Sequence, residues 1–357
     1  MTTRGVHQFV LGIYKKLNLT ETEISKFQTG GPDGDLGSNE IKISSDKTVA
    51  IVDGSGVLYD PTGLDRAELI RLADARKMSE HFNKALLSSK GFFIHINDVD
   101  VQLPDGRFIE KGLIFRNNFH LDEILNGVEL FVPCGGRPAA VNSSNVQQLW
   151  SAELGRPRFR YIVEGANLFF THEARLKLEE WGVILFKDAS ANKGGVTSSS
   201  LEVLAALALN DEEFNQHMRA EDPLNPPTFY KSYVEHVQNK IEQNAAAEFE
   251  AIWREHERSK SPRTILTDLL SEKINLLNEK ISLSKLWDNE KLKNAVISAH
   301  VPTPLLELLG IETILQRVPV SYLKAIFGAS LASEFVYSCG LEAGEFGFYE
   351  FMVNKSQ

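Results

Sequence analysis

The 357-residue chain contains only two cysteines and no apolar run of membrane-spanning length. Cys134 and Cys339 lie far apart in the sequence, so we expect a reducing compartment rather than a disulfide framework. Without a long apolar run we expect no transmembrane segment. Residues 1–6 show neither an apolar signal region nor an arginine-rich presequence. We therefore expect a cytoplasmic protein, or a mitochondrial one if a presequence lies upstream of Met1.

The sequence also lacks an excess of basic residues, and it lacks a cluster of metal-ligating residues. The chain has 38 Lys and Arg against 48 Asp and Glu, a net charge of −10, and both signs are mixed along the sequence. This balance disfavours nucleic acid and anionic membranes as partners. The nine histidines show no metal-ligand spacing, so we predict no metal site. A hydrophobic fraction of 43% is ample for a core, and the length fits one large or two ordinary domains.

The most informative stretch is the turn at residues 28–37, which reads Gln-Thr-Gly-Gly-Pro-Asp-Gly-Asp-Leu-Gly. A short strand-like segment precedes it, a helix can open at its end, and the β-branched run 48–52 stops at Asp53. Strand, glycine turn, helix, strand and carboxylate is the order of a dinucleotide-binding unit. Glycines let the backbone approach a pyrophosphate, and the helix N-terminus supplies N–H donors. An acid at Asp53 can hold a ribose 2′-hydroxyl and repels a 2′-phosphate, which favours NAD over NADP.

The glycine fingerprint is incomplete. With Gly34 and Gly37 as its second and third glycines, the first position falls on Pro32. Glycine-rich turns are also common in loops that bind nothing, and Asp53 can equally be a turn acid before Gly54. From the local pattern alone, the cofactor interpretation and the structural one both stay open.

Further along the chain, apolar strand-like runs repeatedly end in polar, glycine-bearing turns that lead into helices. Such runs end near residues 132, 163 and 186. The alternation predicts an α/β fold, a Rossmann-like doubly wound and mostly parallel sheet with an α-helical C-terminal extension. Ligands of such sheets gather at the carboxyl ends of the strands. We therefore expect one crevice to be shared by Gly34, Asp53, Cys134, Asn167 and Asn192.

The character of the sequence changes after Asn210. A proline-rich breaker cluster occupies residues 222–227, and amphipathic helical patterns continue from there to the end of the chain. No strand-like alternation appears after residue 190. We predict an NAD-binding Rossmann-like domain at residues 1–210 and a helical C-terminal region, residues 211–357, that packs on it.

The motif Glu164-Gly165-Ala166-Asn167, followed by Asn-Lys-Gly-Gly-Val-Thr-Ser-Ser at residues 192–199, resembles the cofactor-domain half of glutamate dehydrogenase. With the 28–37 turn and the helical tail, nearly the whole chain resembles the C-terminal part of the large-subunit, NAD-specific class of fungi. The resemblance implies oxidative deamination of L-glutamate to 2-oxoglutarate and ammonia with hydride transfer to NAD. It also implies a homo-oligomer in the full-length form.

The same resemblance implies roles for individual residues. Gly34 and Gly37 match the pyrophosphate turn, Asn167 matches the residue on the nicotinamide side, and Ser199 falls where a hydroxyl touches the substrate γ-carboxylate. The implied cofactor-binding set is Gly31, Asp33, Gly34, Leu36, Asp53, Cys134, Gly135, Asn167 and Asn192. The implied substrate-binding set is Thr2, Val196 and Ser199. Thr2 corresponds to a Thr-Gly-x-Gly motif, although Thr3 follows it here instead of glycine.

The sequence departs from the family in one respect that bears on catalysis. The family's catalytic lysine and aspartate belong to a preceding substrate domain that has no counterpart here, so we expect no catalytic residue in this chain. We interpret it as a truncated subunit that is inactive alone. Lys193 is expected to be a solvated loop lysine rather than a surrogate base, and Cys134 a small buried residue rather than a nucleophile.

Two other functions stay open. The chain can be a non-catalytic assembly or interaction module with a vestigial cofactor site, which Pro32 slightly favours. It can also belong to a related dehydrogenase for an apolar amino acid. Ser199 speaks against that second alternative, because an apolar side-chain pocket has no use for a hydroxyl at this position.

Overall fold

The computed structural model describes residues 1–222 and 225–356, and the chain divides into two compact units. The sheet unit contains Thr2–Asn192 and Pro262–Thr264, and the helical unit contains Met1, Lys193–Ser261 and Ile265–Gln357. The division follows Asn192 rather than residue 210, because the helix at residues 194–208 buries its leucines together with the later helices. Pro223 and Leu224 of the predicted breaker cluster lie outside the described residues.

The sheet unit alternates strands and helices over most of its length. Its strands are β1 (Ser25–Thr29), β2 (Lys47–Val52), β3 (Gly56–Tyr59), β4 (Phe92–His95), β5 (Val99–Gln102), β6 (Phe108–Lys111), β7 (Leu130–Pro133), β8 (Trp150–Ser151), β9 (Arg156–Pro157), β10 (Tyr161–Val163) and β11 (Ile184–Phe186). Its helices are α1 (Thr2–Leu17), α2 (Asp35–Ile43), α3 (Arg66–Asp74), α4 (Gly112–Asn118), α5 (His172–Glu180) and α6 (Asp188–Ala191).

The central sheet has seven strands in the order β11-β10-β7-β1-β2-β3-β4. The strands from β11 to β2 are parallel, whereas β3 pairs antiparallel with both β2 and β4. The prediction of a mostly parallel, doubly wound sheet is therefore confirmed. The chain leaves β1 for β2 on one side and later places β7 on the other side of β1. This reversal is a topological switch point, which opens a crevice at the carboxyl ends of the strands.

The sheet is buried on both faces. Side chains alternate between the faces of a strand, so β2 sends Ala50 and Val52 into one core and Ile51 into the other. The first core includes Phe27, whose ring stacks on Phe131 with centroids 4.6 Å apart. The second core is filled by side chains from helices α2 and α3. Burial on both faces explains why β7, β10 and β11 are almost continuously apolar rather than alternating.

Among the described residues after 192, every regular element is a helix, as the loss of strand-like alternation predicts. These helices are α7 (Gly194–Ala208), α8 (Asp211–His217), α9 (Thr228–Ser259), α10 (Arg263–Leu283), α11 (Glu290–His300), α12 (Thr303–Leu309), α13 (Ile311–Arg317), α14 (Val320–Cys339) and α15 (Glu345–Ser356). On α9, Val237 and Ile241 lie one helical turn apart and are buried with residues of α7 and α14. The described helices include none whose length and apolar character would suit a bilayer crossing.

Candidate cofactor site

The chain packs so closely from the end of β1 to the first turn of α2 that three glycines, Gly30, Gly31 and Gly37, leave no room for a side chain. A Cβ atom on Gly31 would lie 2.5 Å from the Cβ of Asp53, and one on Gly37 would lie 2.8 Å from the carbonyl carbon of Gly30. Gly34 differs, because the nearest atom to its Cβ position is 3.7 Å away. Gly34 is the N-cap of α2, where backbone N–H groups have no partners within the helix. The turn therefore combines a tight backbone with accessible anion-binding donors.

Gln28 closes this turn, a role that the sequence analysis did not assign. Its buried side chain donates from Nε2 to the carbonyl oxygens of Gly30 (2.8 Å) and Gly37 (3.2 Å). One amide thus joins the end of β1 to the first turn of α2. The signal that points to Gln28 is a polar residue inside a strand that is otherwise buried.

Asp53 follows β2 and lies against the glycine turn with only 4% of its surface exposed. Its Oδ1 accepts hydrogen bonds from Ser55 N (2.9 Å) and Ser55 Oγ (2.6 Å), and its Oδ2 accepts one from Ser79 N (2.7 Å). A carboxylate offers about four acceptor positions, so about one remains on Oδ2, the oxygen nearest the Cβ position of Gly31. The carboxylate is both a turn acid and a candidate ribose acceptor.

Asp60 shows that this bonding pattern alone does not identify a ligand site. Its carboxylate accepts hydrogen bonds from the N–H and hydroxyl of Thr62 and from the N–H and hydroxyl of Ser88. Asp60 follows β3, which runs antiparallel to β2, and it therefore lies toward the opposite edge of the sheet. What distinguishes Asp53 is its place at the carboxyl edge, beside Gly31.

The loop after β7 lies directly across from the glycine turn. Thr29 Oγ1 donates to the carbonyl oxygen of Gly135 (2.5 Å), and Cys134 N donates to the carbonyl oxygen of Thr29 (2.7 Å). Burial raises the pKa of the Cys134 thiol well above its usual value, and the Glu40 carboxylate raises it further. A neutral thiol is a poor nucleophile, although Cys134 is half-buried rather than fully buried.

The loops after β10 and β11 meet at two asparagines. Asn192 Nδ2 donates to the carbonyl oxygen of Gly165 (3.0 Å) and to Asn167 Oδ1 (2.6 Å). A Cβ atom on Gly165 would lie 2.8 Å from Leu36 Cδ2, which places this loop against the first turn of α2. Asn167 is exposed, whereas Asn192 is half-buried. The structure therefore joins the second half of the predicted site to the first.

A buried ion triad supports the loop that carries Asn167, and the sequence analysis missed it. Arg175 Nε and Nη2 donate to the two carboxylate oxygens of Glu164 (2.7 and 2.9 Å), and Nη2 also donates to Asp188 Oδ1 (3.1 Å). Burial raises the pKa of Glu164 to about 7, Arg175 opposes the rise, and Asp188 adds to it. Helix α5 is rich in charged residues, so its sequence suggests that Arg175 faces solvent. Only the folded structure shows that Arg175 pairs with Glu164 and Asp188.

A second buried charge cluster lies on β1 and the elements around it. Lys26 has no exposed surface, and its Nζ lies 2.7 Å from Asp46 Oδ2 and 3.3 Å from Glu40 Oε1. Burial by itself lowers the pKa of Lys26, but the charges on Asp46 and Glu40 outweigh it and raise the pKa. Burial likewise opposes ionisation of Glu40, but Lys26 and His7 lower the Glu40 pKa to about 2. This cluster holds strand and helix together and is a structural feature.

The structure places the predicted cofactor-binding residues along one edge of the sheet unit, in the segments that follow β1, β2, β7, β10 and β11, including the first turn of α2 and the end of α6. They are Gly31, Asp33, Gly34, Leu36, Asp53, Cys134, Gly135, Asn167 and Asn192. Thr2 begins α1 in the same unit, and its neighbour Thr3 donates from Oγ1 to the carbonyl oxygen of Leu36 (3.4 Å). Val196 and Ser199 are exposed and lie on α7 of the helical unit.

Lys193 does not match the expected solvated loop lysine. Its Nζ donates to both carboxylate oxygens of Glu248 (2.6 and 2.8 Å), and Tyr337 OH donates to the same carboxylate (2.8 Å). Glu248 is buried on α9, so the pair links the start of α7 to that helix. These contacts occupy the amino group of Lys193, which leaves it poorly placed to act as a base. Within residues 1–222 and 225–356, no group of His, Cys, Asp and Glu is arranged to hold a metal ion.

A parallel sheet with a switch point, a glycine turn at a helix N-terminus and a carboxylate after the second strand defines the Rossmann-like class of doubly wound α/β proteins. The chain belongs to the glutamate/leucine/phenylalanine/valine dehydrogenase family, whose model matches residues 1–259.

Two relatives that are similar in sequence agree with this assignment. The chain is 59% identical over 357 residues to glutamate dehydrogenase 2 of Dictyostelium discoideum and 53% identical over 356 residues to the NAD-specific glutamate dehydrogenase of Neurospora crassa. The alignments cover 100% and 99% of this chain but 34% of each relative, so the chain spans about a third of their length. The solved structure of Plasmodium falciparum glutamate dehydrogenase is similar at a TM-score of 0.47 and 19% identity, over 74% of this chain and 48% of that one.

Proposed function

We propose that this chain is the NAD-binding part of a glutamate dehydrogenase. The complete reaction would convert L-glutamate, NAD and water into 2-oxoglutarate, ammonium, NADH and a proton. The names of the two relatives support the reaction, and the carboxyl edge of the sheet unit supports the cofactor. When bound, NAD would supply the acceptor for the hydride from the α-carbon of glutamate.

The residues of the crevice fit a dinucleotide. The N–H groups at the start of α2 would bind the pyrophosphate, and Gly34 leaves room for its approach. Asp53 would accept a hydrogen bond from the adenosine ribose through the free position on Oδ2. Asn167 would contact the carboxamide of the nicotinamide. In each case a hydrogen-bond donor of the protein would meet an acceptor of the ligand, or an acceptor of the protein would meet a donor.

The contact between Gly31 and Asp53 is the single observation that carries this proposal. It brings a buried carboxylate beside the turn that would bind phosphate, at the switch point of a parallel sheet. A carboxylate there favours a ribose diol and repels a 2′-phosphate, because two anions in close contact in a poorly solvated crevice are costly. We therefore expect NAD to be preferred over NADP.

For the substrate side, we propose that Thr2, Val196 and Ser199 contribute to glutamate binding when the catalytic lysine and aspartate of the family are supplied by another segment. Lys193 is bonded to Glu248 and does not replace them. We therefore propose that the 357-residue chain by itself forms no NADH from glutamate. We also propose a cytoplasmic location and a homo-oligomer for the full-length form.

Calorimetric titration of the purified chain with NAD and with NADP tests the cofactor assignment. We expect heat with NAD, and at a free concentration of 100 times Kd the folded state should gain about 2.7 kcal/mol against unfolding. NADP should bind more weakly. Absence of both heat and thermal stabilisation at millimolar NAD would contradict the proposal. An absorbance assay with glutamate and NAD in the same sample tests the expected lack of turnover.

A non-catalytic assembly module is the second candidate, and one observation favours it. Helix α15 exposes Phe346, Tyr349 and Val353, which are spaced so that they share one face of the helix. Exposed apolar side chains grouped in this way are typical of interaction surfaces. Self-association in sedimentation experiments, combined with no calorimetric response to NAD, would support this function over the first.

A further inference from the structure

We infer that Glu164, Arg175 and Asp188 form a positioning triad, which holds the loop of Asn167 so that its side-chain amino group points toward the nicotinamide carboxamide. This inference rests on the proposed function and adds to it, because none of the three residues belongs to the predicted cofactor set. Their role would be to orient Asn167 rather than to touch the cofactor.

Asp188 connects the ion pair to the loop. Its Oδ1 accepts the hydrogen bond from Arg175, while its Oδ2 accepts one from the backbone N–H of Leu168 (2.7 Å). Leu168 immediately follows Asn167 and has a φ of 58°, a left-handed conformation that costs a residue with a side chain about 1 kcal/mol. The charge-assisted hydrogen bond offsets this cost. Without its acceptor, Leu168 would relax to negative φ and turn Asn167 away.

Asp188 also fixes the second asparagine. Its carbonyl oxygen accepts a hydrogen bond from Asn192 N (3.0 Å), and Asn192 Nδ2 then donates to Asn167 Oδ1 (2.6 Å). Because the oxygen of Asn167 is the acceptor in this pair, its Nδ2 is left as a donor. That amino group has no partner among residues 1–222 and 225–356. A carboxamide oxygen is the complementary acceptor, and nicotinamide carries one.

Arg175 and Glu164 make this arrangement rigid. Glu164 has no exposed surface, and Arg175 is 4% exposed, so the Arg175 cation depends on the two carboxylates for stabilisation and Glu164 depends on Arg175. The bidentate geometry restricts the guanidinium to one orientation, which in turn places its Nη2 against Asp188. Glu164 begins the same loop, directly after β10. The triad therefore anchors both ends of the segment 164–168.

The test compares two ligands that differ only at the nicotinamide end. NADH and ADP-ribose share the adenosine and pyrophosphate, and only NADH reaches Asn167. In Asp188→Ala we expect the affinity for NADH to fall about tenfold, equivalent to about one hydrogen bond, while the affinity for ADP-ribose stays within about twofold. Asp60→Ala is the matched control. It removes an equally buried, hydrogen-bonded aspartate at the opposite edge and should leave the ratio of the two affinities unchanged.

Equal affinity losses for both ligands, or no loss for either, would overturn the inference. If the unmodified chain binds neither ligand, the proposed function fails as well, and the two failures are thereby distinguished. Asp188→Asn, which keeps the shape and one acceptor, serves if the alanine variant does not fold. Hydrogen exchange gives a readout without ligand: the Leu168 amide should be protected in the unmodified chain and exchange at least tenfold faster in the Asp188 variant, and an unprotected Leu168 amide in the unmodified chain would also contradict the triad.

Discussion

Gly37 in the first turn of α2 packs against the carbonyl group of Gly30 at the end of β1. The contact is possible because Gly37 has no side chain, and Gln28 reinforces it by donating to both carbonyl oxygens. The close approach sets the angle at which α2 leaves the sheet and hence the direction of its N–H groups. Gly34 lies between them in the turn but has no such contact.

Replacing Gly37 with alanine should destabilise the fold, whereas the same change at Gly34 should not. The added Cβ at position 37 overlaps backbone that cannot move without separating α2 from β1, and overpacking of this kind costs about 1–3 kcal/mol. Thermal unfolding of Gly37→Ala and Gly34→Ala measures the difference. Gly34→Ala should keep the parental midpoint but bind NAD more weakly, since its Cβ would occupy the approach to the pyrophosphate. Equal midpoints for the two variants would contradict the close packing at Gly37.

Replacing Asp53 with serine should shift the cofactor choice toward NADP. The variant removes the charge that repels a 2′-phosphate, although it also takes an acceptor from the N–H groups of Ser55 and Ser79 and lowers stability by about 1–3 kcal/mol. The informative quantity is therefore the ratio of NAD to NADP affinity, measured by calorimetry. Asp60→Ser is the control, because Asp60 makes similar hydrogen bonds at the opposite edge. An unchanged ratio in Asp53→Ser would count against the ribose assignment.

Lys26→Met should destabilise the protein strongly. The change leaves the buried Asp46 carboxylate without its cation and leaves Glu40 with His7 alone, and breaking a buried ion pair in this way costs about 3–5 kcal/mol. The free energy of unfolding, obtained from urea titration at pH 7, measures the loss. Lys47→Met is the control, since Lys47 is the exposed neighbouring lysine at the start of β2. A loss in Lys26→Met no greater than in the control would show that the cluster contributes nothing.

His120 should make the protein less stable in mild acid. Its ring is buried edge-on against Phe169, and burial lowers its pKa to about 4. Below pH 6.5 the unfolded chain binds a proton that the folded chain excludes, so stability falls as the pH drops from 6.5 toward 4, by about 3 kcal/mol in total. Glu164 acts in the opposite direction, because its raised pKa makes the folded state bind a proton first.

Comparison of variants separates these contributions. His120→Gln should flatten the decline in thermal midpoint between pH 6.5 and 4 relative to the parent chain, since the other titrating groups are common to both proteins. His172→Gln, which changes an exposed histidine, should leave the parental slope intact. If the slopes of all three proteins coincide, His120 does not contribute to the acid sensitivity.

Much of the fold could be predicted because its signals are local. The glycine turn at residues 28–37 and the apolar runs of β7, β10 and β11 are each readable within about ten residues, and the structure confirms them. The absence of strand-like alternation after residue 190 likewise predicts that the rest of the chain is helical. The boundary between the units was harder to predict, because α7 follows the last strand of the sheet yet buries its leucines with the later helices.

The sequence by itself determined the order of strands, turns and helices, the residues that reach the carboxyl edge and the family resemblance, because these depend on neighbours along the chain. Only the tertiary structure decided which buried groups meet. Ser79 reaches Asp53, Gln28 links Gly30 to Gly37, and Arg175 joins Glu164 to Asp188. A hydrogen bond or ion pair forms wherever the fold brings donor and acceptor to within about 3 Å, and the spacing of residues along the chain carries no record of that distance.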